Sequence, residues 1–209
     1  MTPLDALLAH PDIARLARSL EERPGVPIVP GDDEMVRWAA IALVVRTGPD
    51  GHPELLMIKR AEAERDPWSG HVACPGGRME PGDHDLAQTA IRETWEETGV
   101  DLSTHGRVLG QLDDLAPRAP QLPPLVIRPF AAVVRPDVEI VPSSEVAEAF
   151  WVPLPAIRER AAWGTGMVEI AGMGSVQVPA FLHGTYTVWG LTERVLREFL
   201  ERIEAPESS

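Results

Sequence analysis

The stretch GGRMEPGDHDLAQTAIRETWEETGV, residues 76–100, sets three glutamates on one turn of a predicted helix that follows a glycine pair. The helix is predicted over residues 85–98, just before a further glycine. Positions i, i+3 and i+4 of a helix share one face, so Glu93, Glu96 and Glu97 converge. Like charges at this spacing destabilise a helix by roughly 0.2–0.5 kcal/mol per pair, and the cluster therefore needs an explanation.

Two explanations of this glutamate turn are open from the residue types alone. The first is a solvated helix face, on which Arg92 and Glu96 form an ordinary ion pair between neighbouring turns. The second is a metal site, because Pro75, Gly76 and Gly77 permit a tight turn that directs backbone carbonyls toward the helix. Carboxylates together with a carbonyl are hard oxygen ligands, which suit Mg²⁺ or Mn²⁺.

The remainder of the chain mixes strands with helices. Apolar spacing predicts an N-terminal helical segment over residues 4–22, interrupted at Pro11, and an amphipathic closing helix over 187–203. Strands are predicted at 38–46, 54–60, 107–112, 125–135 and 147–154, the first two forming a hairpin. This mixture predicts an α/β sandwich around a mixed sheet. We expect a helical extension and linker at residues 1–35 and one domain at 36–205.

Composition limits the classes of function. The chain has 209 residues, a net charge of −13 and a pI near 4.8, which disfavours nucleic acid and anionic membranes as partners because their phosphates repel such a surface. Cys74 is the only cysteine, so no intramolecular disulfide forms. The chain has no signal-peptide pattern and no apolar run near the ~18 residues of a membrane span. These features predict a cytoplasmic protein.

Residues 77–100 resemble the Nudix box of the Nudix hydrolases, G-x5-E-x7-R-E-U-x-E-E-x-G-U, where U is a bulky apolar residue. The matching residues are Gly77, Asp83 and, after a gap of eight, Arg92-Glu93-Thr94-Trp95-Glu96-Glu97-Thr98-Gly99-Val100. Asp83 replaces the usual glutamate, the gap that follows is one residue longer, and Thr94 stands where an aliphatic residue is common. The coenzyme A diphosphatase branch of the family is similar in its aspartate and longer gap. The resemblance implies a Nudix-type α/β/α sandwich around a mixed β-sheet.

That branch also has an upstream signature, roughly L-L-T-x-R-[SA]-x3-R-x3-G-x3-F-P-G-G. The corresponding residues are Leu56-Met57-Ile58-Lys59-Arg60-Ala61, Arg65, Gly70 and Cys74-Pro75-Gly76-Gly77. The match is partial, since four residues separate Arg65 from Gly70 and Cys74 replaces phenylalanine. Later segments such as IRPFAAVV and VWGLTERVL are also similar to the branch, so the resemblance covers about residues 38–200.

The resemblance implies a metal-dependent hydrolysis of a nucleoside diphosphate linked to another moiety. It assigns Mg²⁺ or Mn²⁺ to the carboxylates of Glu93, Glu96 and Glu97, with the carbonyl of Gly76 as a further ligand. Such a cation lets an acidic protein bind a polyanion, because it neutralises the phosphates and lowers the pKa of a bound water. Arg92 and Asp83 would pair as a structural brace. The alternative for Arg92 is direct contact with phosphate.

Glu96 and Glu97 of the box, together with Glu145, are the candidate catalytic residues. Glu145 in the segment SEVAEAFW lies where family members carry a further glutamate that reaches the metal site, which makes it the candidate general base. Glu148 is its nearest rival, and the alternative for Glu145 is a plain loop charge. Asp113 and Asp114 are weaker candidates for the same role.

Three arginines are candidates for binding substrate phosphates. Arg60, Arg65 and Arg78 precede or follow the glycine pair, and a guanidinium offers a fork of donors that matches phosphate oxygens. The alternative is that they form surface salt bridges.

Four other residues are given structural roles. A lone histidine such as His71 is usually a hydrogen-bonded structural residue. Trp68 and Trp151 could stack on a base, but packing is the expected role. Cys74 is expected to be a small buried hydrophobe.

The leading functional hypothesis is a diphosphatase that cleaves coenzyme A or acyl-CoA into 3′,5′-ADP and (acyl-)phosphopantetheine. The alternative within the same chemistry is hydrolysis of ADP-ribose or another nucleotide derivative. A non-catalytic nucleotide sensor is a third hypothesis, which the intact box glutamates disfavour. The expected partner is a small-molecule nucleotide, and the N-terminal helix is a candidate surface for a homodimer.

Overall fold

The computed structural model describes residues 2–31, 36–62, 68–117, 124–170 and 174–204. It contains six α-helices and ten β-strands in these ranges, in the order α1 (Pro3–Leu8), α2 (Pro11–Glu22), β1 (Arg37–Thr47), β2 (Pro53–Arg60), β3 (Val72–Ala73), β4 (Gly76–Arg78), α3 (Leu86–Thr98), α4 (Leu102–His105), β5 (Gly106–Gln111), β6 (Leu125–Val134), β7 (Val146–Pro153), α5 (Leu154–Arg158), β8 (Trp163–Ile170), β9 (Gly174–His183), β10 (Tyr186–Trp189) and α6 (Gly190–Glu204). No helix in the described ranges combines the length and the apolar character that a bilayer crossing needs.

A seven-stranded mixed sheet forms the centre of the fold. Its main path runs β3-β2-β1-β6-β5, while β4 pairs with β1 and β7 pairs with β2. The pair β1–β6 is parallel, from Arg37 opposite Leu125 to Val45 opposite Val133, and the other pairs are antiparallel. The predicted hairpin of the first two strands is therefore confirmed.

Helices cover both faces of this sheet. On one face, Leu86 and Ala90 of α3 pack in a cluster with Leu56. On the other face, α1, α2 and α6 contribute to a second cluster, in which Leu16 and Phe199 are fully buried. Each such side chain contributes roughly 1.5–3 kcal/mol on burial. The predicted α/β/α sandwich around a mixed sheet is confirmed.

A second, three-stranded antiparallel sheet, β8-β9-β10, was not predicted. Glycine is depleted in strands, and Gly164 and Gly166 within β8 weaken its signal. The closing helix was also predicted three residues too early, because residues 187–189 pair with β9 and the helix begins at Gly190. Gly190 has a φ of 67°, which separates the strand from the helix.

The N-terminal helical segment is divided as predicted, with α1 ending before and α2 beginning at Pro11. Proline at the first helical position loses no hydrogen bond, so it starts α2 without cost. Helix α2 packs against α6, and its buried Asp12 accepts hydrogen bonds from Arg15 and Arg158, each at 2.8 Å. The first helices therefore contribute to the core of the same fold.

Candidate active site

Helix α3 carries the glutamate turn and is fixed at both ends. The side chain of Asp85 accepts a hydrogen bond from the backbone N–H of Gln88 at 2.8 Å, and Gly99 ends the helix with a φ of 73°. Thr94 faces the core, and its hydroxyl donates to the carbonyl of Ala90 at 2.7 Å. This bond satisfies the buried hydroxyl, which explains how threonine replaces an aliphatic residue here.

Glu97 is the buried member of the turn, with only 4% of its surface exposed. Its Oε2 accepts a hydrogen bond from the backbone N–H of Gly76 at 2.8 Å, and its Oε1 lies 3.6 Å from Nη1 of Arg60. Burial raises the pKa of the Glu97 carboxyl to about 7, and the nearby charges of Glu93 and Glu145 add to this rise. A carboxylate in this environment gains free energy from a neighbouring cation.

The glycine pair allows the chain to approach this turn closely. A Cβ on Gly76 would lie 2.3 Å from the carbonyl oxygen of Ala40, and the φ of 154° at Gly76 also favours glycine. A Cβ on Gly77 would lie 2.4 Å from the carboxylate of Glu93. The pair therefore brings strand β4 into contact with the glutamates.

We expect Gly77→Ala to lower kcat/KM by about a hundredfold, since a displacement of about 1 Å at a reacting centre costs that much. The added methyl would push the Glu93 carboxylate away from its position. Gly164→Ala is the matched control, because a Cβ there meets nothing within 4 Å. Steady-state kinetics check the loss, and equal melting temperatures of the two variants would show that it is local. Wild-type activity in Gly77→Ala would contradict the prediction.

Arg92 joins the two ends of the box. Its Nε and Nη2 donate to the two carboxylate oxygens of Asp83, each at 3.0 Å, and Nη2 also donates to the carbonyl of Arg78 at 2.9 Å. Its Nη1 donates to Glu93 at 3.0 Å and to Glu96 at 2.8 Å. The contact that a brace requires is thus present, although the role itself stays a proposal. The ion pair of Arg92 with Glu96 also forms, so Arg92 contacts Asp83 and Glu96 at the same time.

The guanidinium of Arg92 holds the pKa of Asp83 at about 2, below its ordinary value of 3.8. A carboxyl with a lowered folded-state pKa contributes stability above its unfolded pKa, and this stability is lost as the pH falls through the folded value. We therefore expect Asp83→Asn to be less stable than the wild type near pH 6, with a difference that shrinks between about pH 4 and pH 2. Urea denaturation across this range measures it. A difference that does not change with pH would contradict the ionic origin.

Glu145 lies in a loop that is tied to both sides of the site. Its carbonyl accepts a hydrogen bond from Ala61 at 2.8 Å, and the N–H of Ser143 donates to the carbonyl of Glu97 at 3.0 Å. Burial raises the pKa of Glu93, and the charge of Glu145 acts in the same direction. The charge of Glu145 thus acts on both Glu93 and Glu97, and its role as the general base stays a proposal.

The other candidate bases lie in different surroundings. Glu148 accepts a hydrogen bond from the hydroxyl of Tyr186 in the second sheet. Asp114 is buried and accepts two hydrogen bonds from Arg128, each at 2.7 Å. Asp113 accepts from the N–H of Val26 and from Arg202. These contacts give each of the three a structural partner.

Known protein families and individual proteins are similar in sequence to this chain. Residues 36–169 match the NUDIX domain family. The chain belongs to the Nudix family. It is 34% identical over 171 residues to human "Mitochondrial coenzyme A diphosphatase NUDT8", covering 80% of this chain and 70% of the relative. It is 28% identical over 169 residues to "Uncharacterized Nudix hydrolase NudL" of Photorhabdus laumondii, covering 80% and 86%. These matches show a Nudix hydrolase.

A solved structure supports the same Nudix fold. The MutT/nudix family protein from Enterococcus faecalis superposes with a TM-score of 0.58 over 84% of this chain and 65% of that chain. Its sequence identity is 16%, so the likeness concerns the fold alone.

The donor set of this Nudix box fits a divalent cation. Glu93, Glu96 and Glu97 supply hard oxygens on one helix turn, and burial with mutual repulsion raises the pKa of Glu93 and Glu97. Within the described ranges, no group of three or more histidine, cysteine, aspartate or glutamate side chains is already arranged as a metal site. Oε1 of Glu93 and Oε2 of Glu96 contact Arg92, and each of these carboxylates has a second oxygen that can bind a cation.

The predicted phosphate-binding arginines have different positions. Arg60 lies beside Glu97, and Arg78 is exposed at the end of β4. Arg65 falls outside the described residues. The carbonyl of Gly76 remains a proposed ligand, while its N–H is the group that contacts Glu97.

Three of the four residues expected to be structural, Cys74, Trp151 and His71, make packing contacts. Cys74 is buried, and burial raises the pKa of its thiol to about 12, so it is confirmed as a small buried hydrophobe. The ring of Trp151 packs under the guanidinium of Arg46, 4.1 Å from its centroid. The ring of His71 lies edge-on to Trp189, with a centroid separation of 4.9 Å. Trp68 remains 36% exposed.

Proposed function

We propose that this Nudix hydrolase cleaves the diphosphate bond of coenzyme A or an acyl-CoA, giving 3′,5′-ADP and (acyl-)phosphopantetheine. The observation that carries the chemistry is the buried Glu97, which converges with Glu93 and Glu145 beside the glycine turn. The choice of substrate is supported by the relative named as a coenzyme A diphosphatase and by Asp83 with its longer gap to Arg92.

In this proposal Glu93, Glu96 and Glu97, with the carbonyl of Gly76, hold Mg²⁺ or Mn²⁺. When bound, the cation supplies charge neutralisation at the diphosphate and acidifies an attacking water. Burial of Glu97 and partial burial of Glu93 limit the access of water to these two carboxylates and strengthen their electrostatic interactions.

Side chains of the protein position the substrate and deprotonate the attacking water. Glu145 accepts a proton from the water that attacks phosphorus, and the bond between the bridging oxygen and that phosphorus breaks. Arg60 orients the phosphate oxygens from beside Glu97, and Arg65 and Arg78 are proposed to assist. Arg92 and Asp83 maintain the relative positions of the loop and α3.

The first experiment is a substrate panel with the purified protein and either Mg²⁺ or Mn²⁺, with products identified by mass spectrometry. It contains coenzyme A, acetyl-CoA, ADP-ribose, NADH and diadenosine polyphosphates. Release of 3′,5′-ADP well ahead of the other products is expected. A preference for ADP-ribose would support hydrolysis at the glutamate site but contradict coenzyme A as the substrate. No turnover of any compound would favour the non-catalytic nucleotide sensor.

Three further properties remain proposals. They are a cytoplasmic location, a homodimer that uses the N-terminal helices, and the division of the chain into an extension at residues 1–35 and a Nudix domain at residues 36–205. The human relative is named as mitochondrial, so the location needs a direct measurement. Fractionation of the source cells and light scattering of the purified protein would test the first two.

A further inference from the structure

A cavity of about 410 Å³ lies between the central sheet and the second sheet. Its volume falls in the range of about 300–1,000 Å³ that is typical of small-molecule sites. Lys59 and His71 line it from the side of the central sheet, and Glu169, Thr185, Tyr186 and Trp189 line it from the second sheet. None of these residues belongs to the Nudix box.

The cavity and the glutamate cluster meet at the same end of β2. Lys59 faces the cavity, whereas the next residue, Arg60, contacts Glu97. Successive side chains of a strand point to opposite faces, and the pairing of β2 with β7 is irregular between Lys59 and Arg60. A ligand that contacts both places therefore has to pass around the end of β2. The following residue, Ala61, donates to the carbonyl of Glu145, and Glu62 lines the cavity. One short segment therefore borders both the candidate reaction centre and the cavity.

The wall formed by the second sheet is held in a fixed arrangement. Tyr186 stacks on Phe150 of the central sheet with a centroid separation of 4.3 Å, and its hydroxyl hydrogen-bonds to Glu148. Trp189 is in edge contact with His71. Aromatic faces beside hydroxyl groups suit a ligand that has both apolar segments and hydrogen-bonding groups.

The charges of the lining argue against a phosphate group. Among the described residues that border the cavity, Lys59 is the only lysine or arginine, and it is opposed by Glu62 and Glu169. A site with no net positive charge does not favour a dianion. The two ends of coenzyme A differ in this respect, since the nucleoside end carries an additional phosphate and the pantetheine arm is uncharged, with amides and a hydroxyl.

We propose that this cavity binds the uncharged, amide-bearing arm of the substrate, so that the phosphorylated nucleoside end points away from it. This inference rests on the proposed function. It fixes the direction in which the diphosphate crosses the end of β2, and it makes the second sheet the part of the chain that selects the arm.

The proposal is tested by a substitution that places a large side chain at the edge of the cavity. Thr185 is an exposed turn residue that lines the cavity, so Thr185→Trp blocks it without altering the core. Met167→Trp is the matched control, because Met167 is 60% exposed on β8 and does not border the cavity. We expect Thr185→Trp to raise KM for coenzyme A about tenfold with little change in kcat, since remote contacts contribute to binding. The control should leave both constants unchanged.

A second measurement does not depend on turnover. Pantetheine has no diphosphate, so its binding to the wild type and both variants can be followed by saturation-transfer NMR. Binding that is lost only in Thr185→Trp supports the cavity even if coenzyme A is not hydrolysed. Hydrolysis of coenzyme A with the same KM in both variants, together with equal pantetheine signals, would overturn the cavity assignment and leave the proposed function intact.

Discussion

Replacing Glu97 with glutamine is expected to lower kcat by about a thousandfold, because charge stabilisation by a bound metal is worth several kcal/mol and each ~1.4 kcal/mol is tenfold in rate. The substitution keeps the shape of the side chain and an oxygen that can accept the hydrogen bond from Gly76. It removes the negative charge that the cation would meet. Steady-state kinetics at saturating Mg²⁺ measure the loss.

The fold of this variant should survive. Burial disfavours the charged form of Glu97, so a neutral amide at this position is not expected to lower the melting temperature in the absence of metal. Glu201→Gln makes the same chemical change at an exposed position of α6 and should be silent in both measurements. If Glu97→Gln retained a tenth or more of the wild-type kcat, Glu97 would not be an essential ligand.

Removing residues 1–22 is expected to abolish folding or leave an aggregating protein. The deletion takes Leu7, Ile13, Leu16 and Leu20 out of the core, each no more than 4% exposed. At roughly 1.5–3 kcal/mol per side chain, the loss is comparable with the entire stability of ~5–15 kcal/mol of an ordinary domain. Circular dichroism and size-exclusion chromatography of the shortened chain check this result.

A single substitution in α2 also tests whether this helix contributes to the core, with a smaller loss of stability. Leu16→Ala should lower the free energy of unfolding by about 2–5 kcal/mol, as is usual for a buried leucine. Val29→Ala is the control, because Val29 is 86% exposed. If a chain beginning at residue 36 stayed folded and active, it would contradict the expected effect of removing the first helices. It would also support the division of the chain at that residue.

The local parts of the fold and site could be predicted from sequence. Helix α3 was predicted to end just before Gly99, because this stop signal acts within a few residues. The convergence of Glu93 and Glu97 followed from helix periodicity alone. The glutamate cluster could therefore be predicted, because it depends only on residues that are close together in the sequence.

The parts that depend on long-range packing could not be predicted. The arrangement of Glu145 beside the box depends on a loop held by Ala61 and by the end of α3, and only the family resemblance suggested it. Strand β10 was taken for the first turn of a helix, since pairing with β9 overrides the local helical pattern. The cavity arises between two sheets, and the second of these sheets was not predicted.

The contact between helices α2 and α6 has a consequence for synthesis. Helix α2 packs on α6, and Arg202 donates to the backbone carbonyl of Arg23 across almost the whole length of the chain. A ribosome completes the apolar face of α2 long before it completes α6. The nascent protein must keep that face soluble until α6 has been synthesised, which makes translation that stops before α6 a source of aggregation for this protein.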